Sequence, residues 1–185
     1  TVEYCQAYKG SDDGFEFFGG SVNVSNLVSV SCSDDSFDWT EGWNGTATNL
    51  VAYQEAEETL GYDCDCLIEA DNNENNYAAT PVAHPVLKNL ILVGNNSAAG
   101  NRGIRLRRGT QVEIDGAKVC GKKNAVTLES EETENALLAG TSKLANMTVD
   151  SELRSEKNIY TNDNFVSAGN TVDRKSTRLN SSHLG

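Results

Sequence analysis

Two stretches, Ser11-Asp12-Asp13-Gly14-Phe15-Glu16-Phe17 and Ser33-Asp34-Asp35-Ser36-Phe37-Asp38-Trp39, repeat one pattern 22 residues apart. Weaker copies follow at Ile68-Glu69-Ala70, Ile104-Arg105-Leu106 and Val126-Thr127-Leu128. Self-similarity at a period of roughly 20 to 50 residues marks a solenoid, whose units cannot bury an apolar face alone and must stack on their neighbours. Each copy alternates apolar, polar, apolar, which is the period of a strand.

Aligning the copies gives two apolar columns, Phe15/Phe37/Ile68/Ile104/Val126 and Phe17/Trp39/Ala70/Leu106/Leu128, that should point inward. Between them stands an outward column of Glu16, Asp38, Glu69, Arg105 and Thr127, followed by Phe18, Thr40, Asp71, Arg107 and Glu129. A second strand family begins at Asn26, Asn49, Asn89, Asp115 and Ala145, with Tyr4-Cys5-Gln6-Ala7-Tyr8 as a further member. Gly, Asn, Asp and Ser lie between the strands, where turns are needed. The expected fold is all-β, a right-handed parallel β-helix of about five to six rungs over residues 1–150, cut at both ends. Stacked Asn26, Asn49 and Asn89 can bond amide to amide along the rungs, with Asp115 and Ala145 expected to break that ladder. Residues 55–63 and 72–85 are insertions; the second holds both prolines and should leave the coil as a loop. Residues 151–172 are less patterned and read as a frayed final turn or incomplete rung.

The end of the chain reads differently. Residues 173–183 match one translated frame of a common short-read sequencing adapter, with Leu184-Gly185 as its index. Residues 173–185 are therefore expected to be a foreign, disordered tail on a metagenomic fragment. Setting aside Arg174, Lys175, Arg178 and Asp173 moves the formal net charge from −12 to −14. Such a surface argues against nucleic acid, whose phosphates need a basic face. No apolar run approaches the roughly 20 residues that span a bilayer.

Glu16, Asp38 and Glu69 should stack on one face, and like charges opposite one another are destabilising. Screening by water and salt offsets them, or Arg105 and Arg107 pair with Glu69 and Asp71, or Ca²⁺ sits among the oxygens. Asp12, Asp34 and Asp65 form a further acidic column that could add ligands, so the metal candidates are Asp12, Glu16, Asp34, Asp38, Asp65 and Glu69. Two close carboxylates could also hydrolyse a glycosidic bond as acid and base. Phe18 and Trp43, expected outward or in turns, and Tyr77 on the long loop suit sugar stacking; Trp39 reads as core. With His84 as the one histidine outside the tail, a zinc site or serine triad is excluded. Cys32 and Cys64 fall one alignment position apart on adjacent rungs, close enough for a disulfide if the side chains face each other.

The runs SDDGFEFFGGSVNV, DDSFDWTEGW and IEADNNENN with Ala79-Thr80-Pro81, then NLILVG and IRLRRGT, together resemble a family of bacterial secreted or surface β-helix proteins with a pectin-lyase-like coil. Some members look like lipoproteins and some carry sorting tails for type IX secretion. The resemblance covers about residues 1–150 and implies export to the cell surface or exterior, but no established activity and no catalytic residues to carry over. The extra cysteines, and Leu67-Ile68 where a Gly often precedes the apolar residue, depart from the pattern. The outward face also resembles that of polysaccharide lyases of this fold, which use acids for Ca²⁺ and Arg or Lys as base; Arg105 or Arg107 beside Glu69 and Asp71 would then be the candidates. A normal Arg does not deprotonate at neutral pH. The expectation is an exported, non-catalytic β-helix that binds or displays, with extracellular polysaccharide or a cell-surface component as its partner. The alternative is a Ca²⁺-assisted lyase or a glycoside hydrolase working on the acidic and arginine face.

Overall fold

The computed structural model describes residues 1–177. Strands β1 (Val2–Tyr8) and β2 (Phe15–Phe18) make the first rung, and β3 (Val24–Val30) and β4 (Phe37–Thr40) the second. The third is β5 (Thr46–Tyr53) and β6 (Ile68–Ala70), with the short α1 (Glu57–Leu60) between them; the fourth is β7 (Val86–Val93) and β8 (Arg102–Arg107). Next come β9 (Glu113–Cys120) and β10 (Asn124–Glu129), then α2 (Glu131–Leu138), β11 (Lys143–Val149) and β12 (Arg154–Ser155), and finally α3 (Asn162–Ser167) and β13 (Thr171–Val172). Odd-numbered strands form a seven-stranded sheet, the long sheet, and even-numbered strands a six-stranded one, the short sheet. Every pairing is parallel and joins a strand to the next rung, as in a parallel β-helix.

In the short sheet the register is the one the repeat dictates. Phe15, Phe37, Ile68, Ile104 and Val126 pair in a row, and so do Phe17, Trp39, Ala70, Leu106 and Leu128. Both columns belong to one core. Phe15 stacks on Phe37 with centroids 5.7 Å apart, and the Trp39 indole finds Thr110 Oγ1 at 2.9 Å. Burying each large apolar side chain contributes about 1.5–3 kcal/mol, so truncating Ile104 or Leu106 in mid-stack costs about 2–5 kcal/mol.

In the long sheet the expected alignment is one residue out after the fourth rung. Lys88 pairs with Asp115 and Leu90 with Ala117, which places Gly116, not Asp115, beside Asn89; Asn146, not Ala145, follows in the sixth rung. The reason is backbone conformation. Tyr4, Asn26, Asn49, Asn89, Gly116 and Asn146 all have φ between 54° and 85°, the left-handed region that Asn and Gly enter most easily. At this residue the alternation breaks: Val24 and Leu27, three apart, are both buried, as are Ala47 and Leu50. Each long strand therefore turns a corner there, in the manner of a bulge. Asn49 Nδ2 donates to Asn26 Oδ1 at 2.9 Å and Asn89 Nδ2 to Asn49 Oδ1 at 2.6 Å. The ladder stops at Gly116, which has no amide, and Asn146 turns instead to Asp115 Oδ1 at 2.7 Å.

Residues 151–172 close onto the coil. Arg154–Ser155 extends the short sheet, Thr171–Val172 the long one, and Phe165 is fully buried. The buried Glu134 carboxylate, on α2, collects the Ser155 hydroxyl and the N–H groups of Lys157, Ile159 and Tyr160. Of the expected foreign tail, Arg174–Thr177 forms a 3₁₀ turn with Arg174 2.7 Å from Glu152; residues 178–185 lie outside the described residues. Among the described residues no helix is long and apolar enough to cross a membrane.

Candidate functional site

Because strand residues alternate, every rung of the short sheet points outward the side chain between its two core residues, although Thr127 is itself covered. Glu16, Asp38, Glu69, Arg105, Thr127 and Arg154 form that outward column. A groove of about 260 Å³ runs over its first four rungs, with Phe18, Thr40, Glu41 and Asp71 on one side and Glu74, Arg107 and Arg108 at its end. The 72–85 loop shapes that end. Asn72, fully buried, donates to the carbonyls of Tyr77 and Ala79 and accepts from Ala83 N–H. Asn73 then holds the Glu41 carboxylate at 3.0 Å. The loop lies so close to the coil that a Cβ on Gly109, at φ 82°, would come within 2.1 Å of the Tyr77 carbonyl oxygen.

The groove has two halves of different electrostatics. Toward the later rungs, Arg105 reaches Glu69 and Glu129 at 2.8 Å each, and Arg107 reaches Asp71 at 2.7 Å and Glu69 at 2.6 Å. Arg108 adds a second contact to Asp71 at 2.9 Å, and Arg102 a second to Glu129 at 3.1 Å. Glu69, Asp71 and Glu129 are each held by two arginines. Burial alone would lower the Arg105 and Arg107 pKa values, but Glu129 and Glu69 at Arg105, and Asp71 and Glu69 at Arg107, outweigh it and raise both.

Toward the first rungs the acids stand without cations. Glu16 and Asp38 have no ion pair among the described residues. Burial pushes the Asp38 carboxyl up to about 8, with Asp13, Glu69 and Glu16 adding to it; Glu16 is raised by burial and then by Asp12 and Asp34. Beneath them, the second Asp of each repeat forms a staircase the sequence reading missed. Asp13 accepts from Asp35 N–H at 2.9 Å, and Asp35 accepts from Cys66 N–H at 2.8 Å. Burial lifts Asp13 to about 6 and Asp35 to about 9. The signal is in the doublet itself, whose second members, Asp13 and Asp35, turn inward while the first, Asp12 and Asp34, are the sequence-based ligand candidates. Donor atoms of Asp12, Asp13 and Asp34, and of Asp13, Asp35 and Asp38, lie within 4.8 Å of one another and could hold a hard cation. Asp65 joins Asp35 and Cys66 in a third such group, whereas Glu69 is committed to arginine.

A family model described as a pectate-lyase-like β-helix domain matches residues 1–183. The chain belongs to that family. No curated protein and no solved structure matches it. The family is carbohydrate-related. Arg105 and Arg107, the candidate bases, are each held by two carboxylates. Phe18 stands 68 % exposed at the groove edge, and Tyr77 is exposed on the loop, as expected. Trp43 is not a surface ring. The turn at Glu41-Gly42 folds it inward, 1 % exposed, stacked on Phe17 at 4.3 Å with its indole N–H on the Val22 carbonyl. Cys32 and Cys64 are buried free thiols rather than a disulfide, with Cys32 Sγ 3.6 Å from the Ser29 hydroxyl. Burial pushes the Cys64 thiol up to about 11.

Proposed function

We propose that this pectate-lyase-like domain binds carbohydrate in the short-sheet groove without cleaving it, outside the cell, and that it takes neutral or amino sugars rather than polyuronates. The observation behind this reading is the division of the groove. Its arginines are spent on Glu69 and Asp71, so the open end presents Phe18 for stacking, with Glu16, Asp38 and Thr40 as hydrogen-bonding groups and net negative charge. A polyuronate would meet like charge there, and β-elimination would lack a base. Calorimetry with chitosan oligosaccharides, neutral xylan and glucan oligosaccharides, and polygalacturonate tests it. Binding by the first two classes, weakened about tenfold in Phe18→Ala by loss of a stacking face, is the expected result. Unsaturated ends released from polygalacturonate would overturn it.

Glycoside hydrolysis is the second reading, favoured by Asp38 alone. A carboxyl held near 8 keeps its proton at neutral pH, as a general acid must. New reducing ends from a neutral glycan, abolished in Asp38→Asn, would select this reading over simple binding.

A further inference from the structure

The outer face of the long sheet contrasts with the acidic and arginine face of the short sheet. Beyond the corner residue, its outward columns are Gln6/Val28/Val51/Ile91 and Tyr8/Val30/Tyr53/Val93. None of these eight residues is charged, in a chain of net charge −12; a cation enters this register only with Lys118 in the fifth rung. Tyr8 is 61 % exposed and Tyr53 47 %. Along the corner run the Asn26, Asn49 and Asn89 amides, one per rung, and a depression of about 440 Å³ lies between them and the apolar column, lined by Tyr4, Gln6, Val28 and Val51.

We propose that this face is a second carbohydrate site, taking an extended, uncharged polysaccharide laid along the coil axis. Three observations choose that occupant. Tyr8 and Tyr53 occupy one column two rungs apart, through Val30. Two rungs measure ~9.6 Å at the usual strand spacing, about one disaccharide of an extended chain of equatorially linked sugars, so two alternate rings of such a chain meet Tyr8 and Tyr53. The amides supply the polar partner at single-rung spacing. Asn49 spends one N–H on Asn26 and one lone pair on Asn89, which leaves an N–H and a lone pair for sugar hydroxyls. The lack of charge selects against uronates and for a neutral polymer. Lys9 sits 5.3 Å from the Tyr8 ring centroid but is itself paired with Glu55 at 3.0 Å, so it brings no net charge to the face.

This proposal does not rest on the short-sheet groove, and its test is separable from that of the groove. The full chain is sedimented with microcrystalline cellulose, with insoluble chitin and with cross-linked polygalacturonate. Retention on a neutral polymer is expected, falling about tenfold in Tyr8→Ala/Tyr53→Ala, with an unchanged urea midpoint. Tyr8→Phe/Tyr53→Phe should keep the retention, since it keeps both rings, and Phe18→Ala should leave it untouched. No retention of the wild type on either neutral polymer overturns the proposal, as does equal retention of the alanine variant. So does a concentration-dependent dimer that only the alanine variant dissolves, which would make the face a contact between two copies of this chain.

Discussion

The two sheets share one core and one rung spacing, yet their outer faces differ sharply in chemistry. On the short sheet the outward column carries an ionisable group in every rung from Glu16 to Arg105, and its later half is cross-linked by four arginines. On the long sheet the columns beyond the corner are uncharged through four rungs. Stacking fixes only what points inward. The outward positions are free of the core, so packing does not impose the difference between the faces.

The largest expected effect separates the faces by stability. Arg107→Ala strips Asp71 and Glu69 of one shared partner while both stay mostly out of water, and removing one member of such a network costs about 3 kcal/mol. Val51→Ala, on the long sheet's outer column, should stay within about 0.5 kcal/mol. Urea unfolding of the two variants measures both. Equal costs would mean that the arginine network is screened and contributes little.

Acidity separates them next. The Asp35 carboxyl titrates near 3.8 when unfolded but about 9 when folded, and Asp38 about 8. The unfolded state thus releases these protons first, so stability is untouched below the unfolded values and falls as pH rises from about 4 toward 9. A decline in Tm on the order of 5–10 °C between pH 5 and pH 9 is expected. Asp35→Asn keeps an acceptor for Cys66 N–H but cannot ionise; it should match the wild type at pH 4 and exceed it at pH 9. A flat Tm profile for the wild type would sink the account of the staircase as buried, protonated acids. The long sheet's outer columns beyond the corner carry no carboxyl in their first four rungs, so they offer no counterpart to this dependence.

Substitution at the corner probes the long sheet itself. At φ 59°, Asn49→Ala gives up two amide bonds and a favourable left-handed residue, costing about 1–2 kcal/mol. Asn49→Gly keeps the conformation and should lose less than the Ala variant, by differential scanning calorimetry. Equal losses for the Ala and Gly variants would place the stability in the amides rather than the backbone.

That corner also shows where the sequence was legible. The short-sheet columns were readable because Phe15-Glu16-Phe17 and Phe37-Asp38-Trp39 repeat both spacing and chemistry, and each alternation names its own inward residues. The arginine pairing followed directly, since Arg105 and Arg107 fall in register with Glu69 and Asp71. The long sheet was harder because its marker is a backbone angle. Asn and Gly both satisfy it, so five-residue segments ending on Val119 and Val149 put Asp115 and Ala145 in the column that Gly116 and Asn146 occupy. Trp43 was misplaced for a related reason: a turn with Gly42 at φ 83° sends the next side chain where no alternation rule reaches. Asp13 and Asp35 lie just outside the strands, and only the fold reveals that their carboxylates cap the N–H groups of the next rung.

The smallest effect is the most local. Asp38 owes its raised pKa first to burial and then to Asp13, Glu69 and Glu16, in that order. Glu16→Gln removes the weakest of these three charges without changing shape, so the Asp38 midpoint should fall by a few tenths of a pH unit, while overall stability stays within about 0.5 kcal/mol. Asp13→Asn should lower it further, because Asp13 is the strongest of the three. Carboxyl carbon shifts followed by NMR from pH 5 to 10 read both midpoints. The order of the two shifts is the critical result. If Glu16→Gln moves Asp38 more than Asp13→Asn does, the open end of the groove is governed by its surface column, and the buried staircase is only a support for the turn.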